Sequence, residues 1–347
     1  MKKFDFVIGN PPYQAEVLNE GDRANPVYDK FLDAAYAVAD CVEMIHPARF
    51  LFDAGMTPHS WNESMLQDEH FKVLQYEPNS SKVFANTDIM GGVAITLRNS
   101  KLSFGAIKTF SPFEELNTIA KKTRLLSEDT LATIVSSQGV FRFSEQAISD
   151  FPEILEKTGK GTGVKIVSVV VDKLPKIFLN SPKQDHEYIK IIGRNSAGRF
   201  HRYIKKDYLQ ENKYIDVYKV LVPEANGSGA IGEVVPTPLI GEPLIAGPNN
   251  GFTDTFLCIG QFQSKIEAER CLKYIKSKFT RCMLGIKKVT QHNPKSTWTE
   301  VPLQDFSDNS DIEWSKPVSD IDKQLYKKYN LTEEEISFIE SHVKEMK

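Results

Sequence analysis

Apolar residues in the first hundred positions fall into short blocks separated by amphipathic stretches. FDFVIG (4–9) is a mostly apolar run ending at Gly9 and the turn-forming Asn10-Pro11-Pro12, the pattern of a buried strand that enters a loop at its carboxyl end. Asn25-Pro26 reads as an N-cap and a first-turn proline, and Val27, Phe31, Ala34, Ala35 and Val38 recur at helical spacing, which predicts a helix over about 26–40. CVEMIHP, FKVLQYEP and GGVAITLRN read as three further strands, the last following a Gly91-Gly92 turn, and SWNESMLQDE reads as a short helix. Strands alternating with helices predict an α/β layer.

The texture changes after about residue 105. Ser111-Pro112-Phe113-Glu114 has capping-box spacing and predicts a helix to about 124, followed by GKGTGVKIVS and a region of short strands and loops that includes EYIKIIG and YKVLVP. Ser264 and Glu267 cap a long helix to about 284, and an acidic last segment ends in two capped helices starting near Ser319 and Thr332. These shifts divide the chain into 1–105, a helical linker at 106–135, a second domain at 136–299 and a helical tail at 300–347, with no internal repeat.

Composition narrows the class. A chain of 347 residues with 41% hydrophobic and 26% charged residues is globular, and its length suits two domains with room for a third small element. Lys+Arg 43 against Asp+Glu 46 leaves a net charge of -3, so any nucleic-acid surface must be local. Cys41, Cys258, Cys271 and Cys282 are scattered without a CxxC pair, which predicts a reducing, cytoplasmic compartment and neither zinc cluster nor disulfides. His46, His186, His201 and His292 lack partners at ligand spacing, so no metal site is expected. No apolar run reaches membrane-span length, and Met1-Lys2-Lys3 leads into Phe4-Asp5-Phe6 rather than a signal-peptide core. Within 265–295, nine cations, among them Lys276, Arg281, Lys287 and Lys288, face only Glu267 and Glu269, a local charge of +7. Such a run is equally a solvated helix face; Arg194, Arg199, Arg202 and Tyr203 in GRNSAGRFHRYI favour phosphate contact.

The clearest chemistry lies at Asn10-Pro11-Pro12-Tyr13, directly after the first strand. This arrangement resembles the catalytic motif of S-adenosylmethionine-dependent amino-group methyltransferases, above all the N6-adenine DNA methyltransferases. An exocyclic amine is a poor nucleophile because its lone pair is delocalised into the ring, so acceptors for its two N–H hydrogens are needed; the resemblance gives that task to the Asn10 side-chain oxygen and the Pro11 carbonyl, in a loop stiffened by Pro11 and Pro12. It also implies that Tyr13 stacks on a flipped target base and that Phe84, in SSKVFANTDIMGGVAITL, is the second aromatic wall. NPVYDKFLDAAYAVAD and VEMIHPARFL follow the family's later motifs in order.

Beyond these, FTDTFLCIGQFQSKIEAERCLKYIKSKFTRCMLGIKKVTQ, WTEVPLQDFS and IEWSKPVSDIDKQLYKKYNLTEEEI resemble the target-recognition region and tail of type II, including type IIG, restriction-modification methyltransferases. The implied fold is the C-terminal half of a Rossmann-like methyltransferase domain (1–105), then an α+β target-recognition domain and a helical tail. The implied cofactor is S-adenosylmethionine and the implied partner is double-stranded DNA. In that family a strand with a glycine-rich loop and an acidic strand end precede the catalytic strand, which here starts at residue 4. The cofactor half is therefore expected to be missing, through a truncated frame, a mis-called start or a split enzyme whose other polypeptide supplies it. The first strand should then be an unprotected edge, and the isolated chain inactive.

Gly227-Ser228-Gly229-Ala230-Ile231-Gly232 formally matches GxGxxG but runs into Glu233-Val234-Val235-Pro236-Thr237-Pro238, and GKGTG lacks the Lys-Ser/Thr of a P-loop. No Pro-Asp followed by Asp/Glu-x-Lys marks a nuclease. Two alternatives stay open: a protein-glutamine or RNA guanine methyltransferase, disfavoured by some 240 residues after the catalytic part, and a non-catalytic DNA-specificity module.

Overall fold

The structure is a computed structural model that describes residues 3–15, 25–52, 56–85, 89, 91–226, 231, 236–288 and 291–346, side chains at 159–162 excepted. The chain is a mixed α/β protein in two compact units, Met1–Asn117 and Thr118–Lys347. Among the described residues no helix is long and apolar enough to cross a membrane, and no group of His, Cys, Asp or Glu could hold a metal ion.

The first unit runs β1 (Phe4–Gly9), α1 (Tyr28–Val38), β2 (Ala39–Pro47), α2 (His59–Gln67), β3 (Phe71–Glu77) and β4 (Val93–Asn99), with sheet order β1-β2-β4-β3. β1 lies parallel to β2, while β4 is antiparallel to both β2 and β3. One face is buried because Tyr28, Leu32 and Ala35 of α1 and Met65 and Leu66 of α2 pack on Val42, Met44 and Ala94, around a fully buried Phe50. Burying each such large side chain stabilises by about 1.5–3 kcal/mol.

Two expectations fail here. β1 is not buried: Phe4, Phe6 and Ile8, which share one face, are 57%, 70% and 78% exposed, although its place at the edge of the described sheet is the one expected. Asn25-Pro26 does not cap α1, whose N-cap is Val27 without a side-chain bond. Those residues pair instead with the loop after β1, through a Gln14–Pro26 bridge and a bond from the Ala15 amide to the Asn25 carbonyl (2.9 Å).

The second unit begins within α3 (Glu114–Leu126) and continues with α4 (Glu145–Asp150), α5 (Glu153–Thr162), α6 (Ser168–Val171), β5 (Tyr188–Asn195), β6 (Gly198–Lys205), β7 (Tyr218–Pro223), β8 (Leu244–Ala246), β9 (Asn250–Phe252), β10 (Phe256–Phe262), α7 (Lys265–Lys276), α8 (Lys278–Gly285), α9 (Val318–Lys328) and α10 (Glu333–His342). Its two sheets have the orders β6-β5-β9 and β10-β7-β8. The entry to α3 is held not by a capping box but by Asn117, which takes the Ser111 amide (2.8 Å) and donates to the Ser111 carbonyl (2.9 Å). Capping boxes do close Ser264–Glu267 and Thr332–Glu335, whereas α9 starts after Pro317 with no side-chain cap. The predicted long helix breaks at Ser277, which leaves helical geometry to accept the Thr280 amide and start α8. The tail packs into this unit: the Phe279 and Tyr329 rings stack 5.1 Å apart, and Asp322 accepts the Lys278 and Phe279 amides.

His46 lies in the first unit's core, its ring stacked 5.7 Å from Tyr28. Nδ1 faces the Pro47 carbonyl (3.1 Å), which only accepts, so Nδ1 carries the proton and Nε2 accepts from the Thr96 hydroxyl (2.8 Å). Burial lowers its pKa to about 4. Because an unfolded histidine binds its proton near pH 6.5, stability present above that pH is lost as pH falls from 6.5 towards 4, by about 3 kcal/mol in all. Hydrogen exchange of β2 and β4 amides, corrected for the intrinsic pH effect, should show this loss in wild type and not in His46→Gln. A flat profile would contradict it.

Candidate functional site

The parallel β1–β2 ladder delivers the Asn10-Pro11-Pro12-Tyr13 loop to one place. Gly9 pairs with Met44, and a Cβ added at Gly9 would stand 3.0 Å from the Met44 sulfur, so a side chain there would displace the thioether by a few tenths of an ångström. Pro11 is buried while Asn10 and Pro12 are exposed, and the Asn10 amide has no hydrogen-bond partner among the described residues. The far end of the loop is pinned by the Val27 amide, which donates to the Tyr13 carbonyl (3.1 Å).

Phe84 reaches the same place from a turn after β3. Asn79 Oδ1 accepts the Ser81 amide (3.1 Å), the Phe84 amide donates to the Ser80 carbonyl (2.8 Å), and Ser80 Oγ accepts the Ile89 amide (2.8 Å). Gly92 closes this loop at φ +74, where a Cβ would lie 2.4 Å from the Glu77 carbonyl oxygen. The Tyr13 and Phe84 rings stand 6.3 Å apart, centroid to centroid, at 66°. The Tyr13 hydroxyl is buried without a hydrogen-bond partner, and burial raises its pKa to about 12, so the phenol is neutral at physiological pH. One Asp29 carboxylate oxygen, in the first turn of α1, is likewise buried and unpartnered; nothing in the sequence distinguished it.

Among the described residues no glycine-rich turn opens a helix beside β1. Gly159–Thr162 complete α5, with Gly163 as its C-cap at φ 58, so GKGTG is a helix end rather than a loop. The GxGxxG stretch at 227–232 lies outside the described residues except Ile231.

The cationic residues separate into two groups. In 265–295, Arg281 is 1% exposed and spends its guanidinium on the carbonyls of Lys276, Ser277, Pro238 and Lys344, and Lys288 is fully buried. Neither can touch a phosphate, which corrects the expectation for both. Lys276 pairs with Glu242, Arg270 with Asp308 and Lys278 with Glu340, and Lys273 donates to the Trp314 carbonyl. This segment anchors the acidic tail; Lys287 is half-buried on its last turn. Arg194 and Arg199, by contrast, are exposed cross-strand partners at the tip of the β5–β6 hairpin. Their guanidiniums reach the Ala225 and Glu242 carbonyls, and Arg202 lies 3.7 Å from Asp172.

Residues 1–84, which span β1, the Asn-Pro-Pro-Tyr loop and Phe84, match the model of the Eco57I restriction-modification methylase family. This part of the chain is thus similar to restriction-modification methylases. No curated protein matches the chain. Among solved structures, the crystal structure of the type IIG restriction endonuclease BpuSI is similar at 11% identity and a TM-score of 0.32, over 98% of this chain and 54% of that one. The chain therefore spans about half the length of that protein.

Arg281→Met should leave four carbonyls short of a donor and cost about 3 kcal/mol in urea unfolding. Unchanged stability would return Arg281 to the surface.

Proposed function

We propose that this chain carries the target-base pocket and the DNA-contacting part of an N6-adenine DNA methyltransferase of the restriction-modification type, and that a cofactor-binding half, on a longer form of the chain or on a separate polypeptide, lies along the outer edge of β1 and holds the S-adenosylmethionine. The observation that carries the reading is the convergence of Asn10–Tyr13, at the carboxyl end of β1, with the Phe84 ring facing Tyr13. Similarity of residues 1–84 to restriction-modification methylases supports it. DNA as substrate and four free cysteines favour a cytoplasmic protein.

Within the reading, the Asn10 side-chain oxygen and the Pro11 carbonyl accept the two N–H bonds of the target amine. That draws the nitrogen towards a pyramidal shape and turns its lone pair out of the ring. The bound cofactor supplies the electrophilic methyl group. Among the described residues the Asn10 amide has no bond to break first, and the buried Pro11 keeps its carbonyl in place. Tyr13 and Phe84 touch edge to face; to admit a base they must turn parallel and part to about 7 Å, two stacking distances. The neutral Tyr13 presents an uncharged face to the base and a spare hydroxyl. Arg194 and Arg199, on one face of the β5–β6 hairpin, would meet the DNA backbone from the second unit, whereas Arg202 opposes Ile191 on the other face.

A second reading, a DNA-specificity module with an idle loop, draws on the lack of a glycine-rich turn among the described residues. Calorimetry does not separate the two, since no tight binding of S-adenosylmethionine by the chain alone is expected under either reading; reconstitution with the cofactor-binding polypeptide does. In the reconstituted enzyme Asn10→Ala should keep DNA affinity within about twofold and lower methyl transfer by about 100-fold or more, because the lost bond matters most in the transition state. No methyl transfer by any reconstituted wild-type pair would favour the specificity module. The base pocket is tested by a duplex with 2-aminopurine opposite an abasic site, whose base leaves the stack cheaply. Its fluorescence should change on binding wild type and not on binding Tyr13→Ala or Phe84→Ala; equal changes in all three would remove both rings from the pocket.

A further inference from the structure

We propose that a cleft at the foot of the β5–β6 hairpin seats a backbone phosphate of duplex DNA, so that the DNA runs along the basic face of the hairpin into the cleft. This rests on the reading of the second unit as DNA-contacting and adds a contact outside the segments that the sequence singled out.

The cleft has a volume of about 180 Å³ and is lined by Lys176, Lys183 and Lys205 over the rings of Phe151, Tyr188 and Tyr208. At about 30 Å³ per water it holds some six waters, room for a phosphate group and not for a base pair. Its aromatic floor is fixed: Tyr208 donates to Asp150 (2.9 Å), Tyr188 donates to Asp185 (2.9 Å), and Phe151 meets Tyr208 edge-on at 5.8 Å. With both hydroxyls committed to carboxylates, the groups left to receive a ligand are the three ammoniums. Lys205 lies 5.6 Å from the Tyr208 ring centroid, and Lys176 and Lys183 are exposed. Among the described residues none of the three makes an ion pair, unlike Lys265, Arg270, Lys276 and Lys278 of the 265–295 segment. The one acid on the lining, Asp185, accepts from Tyr188 and keeps its negative charge, so the lining carries three cations against one anion.

Continuity identifies the ligand. Tyr188 and Lys205 are a cross-strand pair, and the same face of the hairpin continues through Lys190 with Tyr203 and Ile192 with His201 to Arg194 with Arg199. Directly opposed residues share a face, and at ~3.4 Å per residue this one extends about 20 Å. Arg194 opposite Arg199 is a like-charge pair that costs stability unless an anion lies across it. A row of cations about 20 Å long, interleaved with aromatic and imidazole rings and ending in a three-lysine cleft, suits a repeating polyanion rather than a single small anion.

The test uses the full chain and a labelled duplex of about 20 base pairs of arbitrary sequence, by fluorescence anisotropy from about 50 to 300 mM KCl. Wild type should bind at low salt and weaken steeply. Lys176→Glu with Lys183→Glu should bind about tenfold or more weaker at 100 mM salt, with a log–log salt slope shallower by about 2. Lys176→Arg with Lys183→Arg should bind like wild type. Lys265→Glu with Lys323→Glu changes net charge equally on other exposed surfaces and should also bind like wild type. If wild type binds and the cleft reversal matches it in affinity and slope, the cleft proposal falls while the DNA reading stands. If wild type binds no duplex, the DNA reading falls with it. Equal losses in the Lys265/Lys323 variant would assign the effect to net charge and overturn the cleft. So would tighter binding of phosphatidylglycerol vesicles than of DNA through the same lysines.

Discussion

The candidate site depends on the parallel ladder between β1 and β2. Register alone, Phe4 with Ala39 through Gly9 with Met44, sets where the strand stops and hence where Asn10 begins. Close packing of Gly9 on Met44 fixes the exit, and the bond from the Val27 amide to the Tyr13 carbonyl fixes the return towards α1. β1 has β2 on one side and, among the described residues, no strand on the other. The same strand thus presents a polar loop at its end and an apolar, unpaired edge along its length. Natural proteins usually cover such an edge or charge it, and Phe4, Phe6 and Ile8 do neither.

The second unit shows how a chain of net charge -3 keeps a basic surface. Its densest cationic segment is neutralised internally, because the acidic tail folds back on it: Asp308 meets Arg270, Glu340 meets Lys278, and Asp322 caps α8. The hairpin and cleft cations have fewer acidic partners, so they remain as the external field. Folding, more than composition, decides which positive charges face outward.

Most strands were legible because their apolar blocks are short and bounded by Gly, Pro and Asn; β2, β3, β4, β5 and β7 all lie where the pattern placed them. The capping boxes at Ser264 and Thr332 were legible because both halves of each are local. What failed was non-local. An apolar run cannot reveal whether its strand is buried, so the burial of β1 was misread, whereas its edge position was expected from the family resemblance. Asn25 has the chemistry of a cap but is used to pair with the loop, and Ser277 ends one helix to start another inside a continuous amphipathic pattern. Arg281 looked like a surface cation because the carbonyls of Pro238 and Lys344 that bury it are 43 and 63 residues away in sequence. At the candidate site, the motif singled out Asn10–Tyr13 and the family resemblance singled out Phe84, whose ring lies 6.3 Å from that of Tyr13; Asp29 carried no signal.

The central claim of the proposal is that β1 offers an open edge on which a cofactor-binding half completes the site. Residue-resolved hydrogen exchange of Phe4–Gly9, with light scattering to confirm a monomer, tests it most directly. In a parallel pair alternate amides point away from the neighbouring strand. The account predicts that the outward amides of β1 exchange fast in the isolated chain and become protected when the cofactor-binding polypeptide is added. Slow exchange along the whole of β1 in the isolated monomer would contradict it.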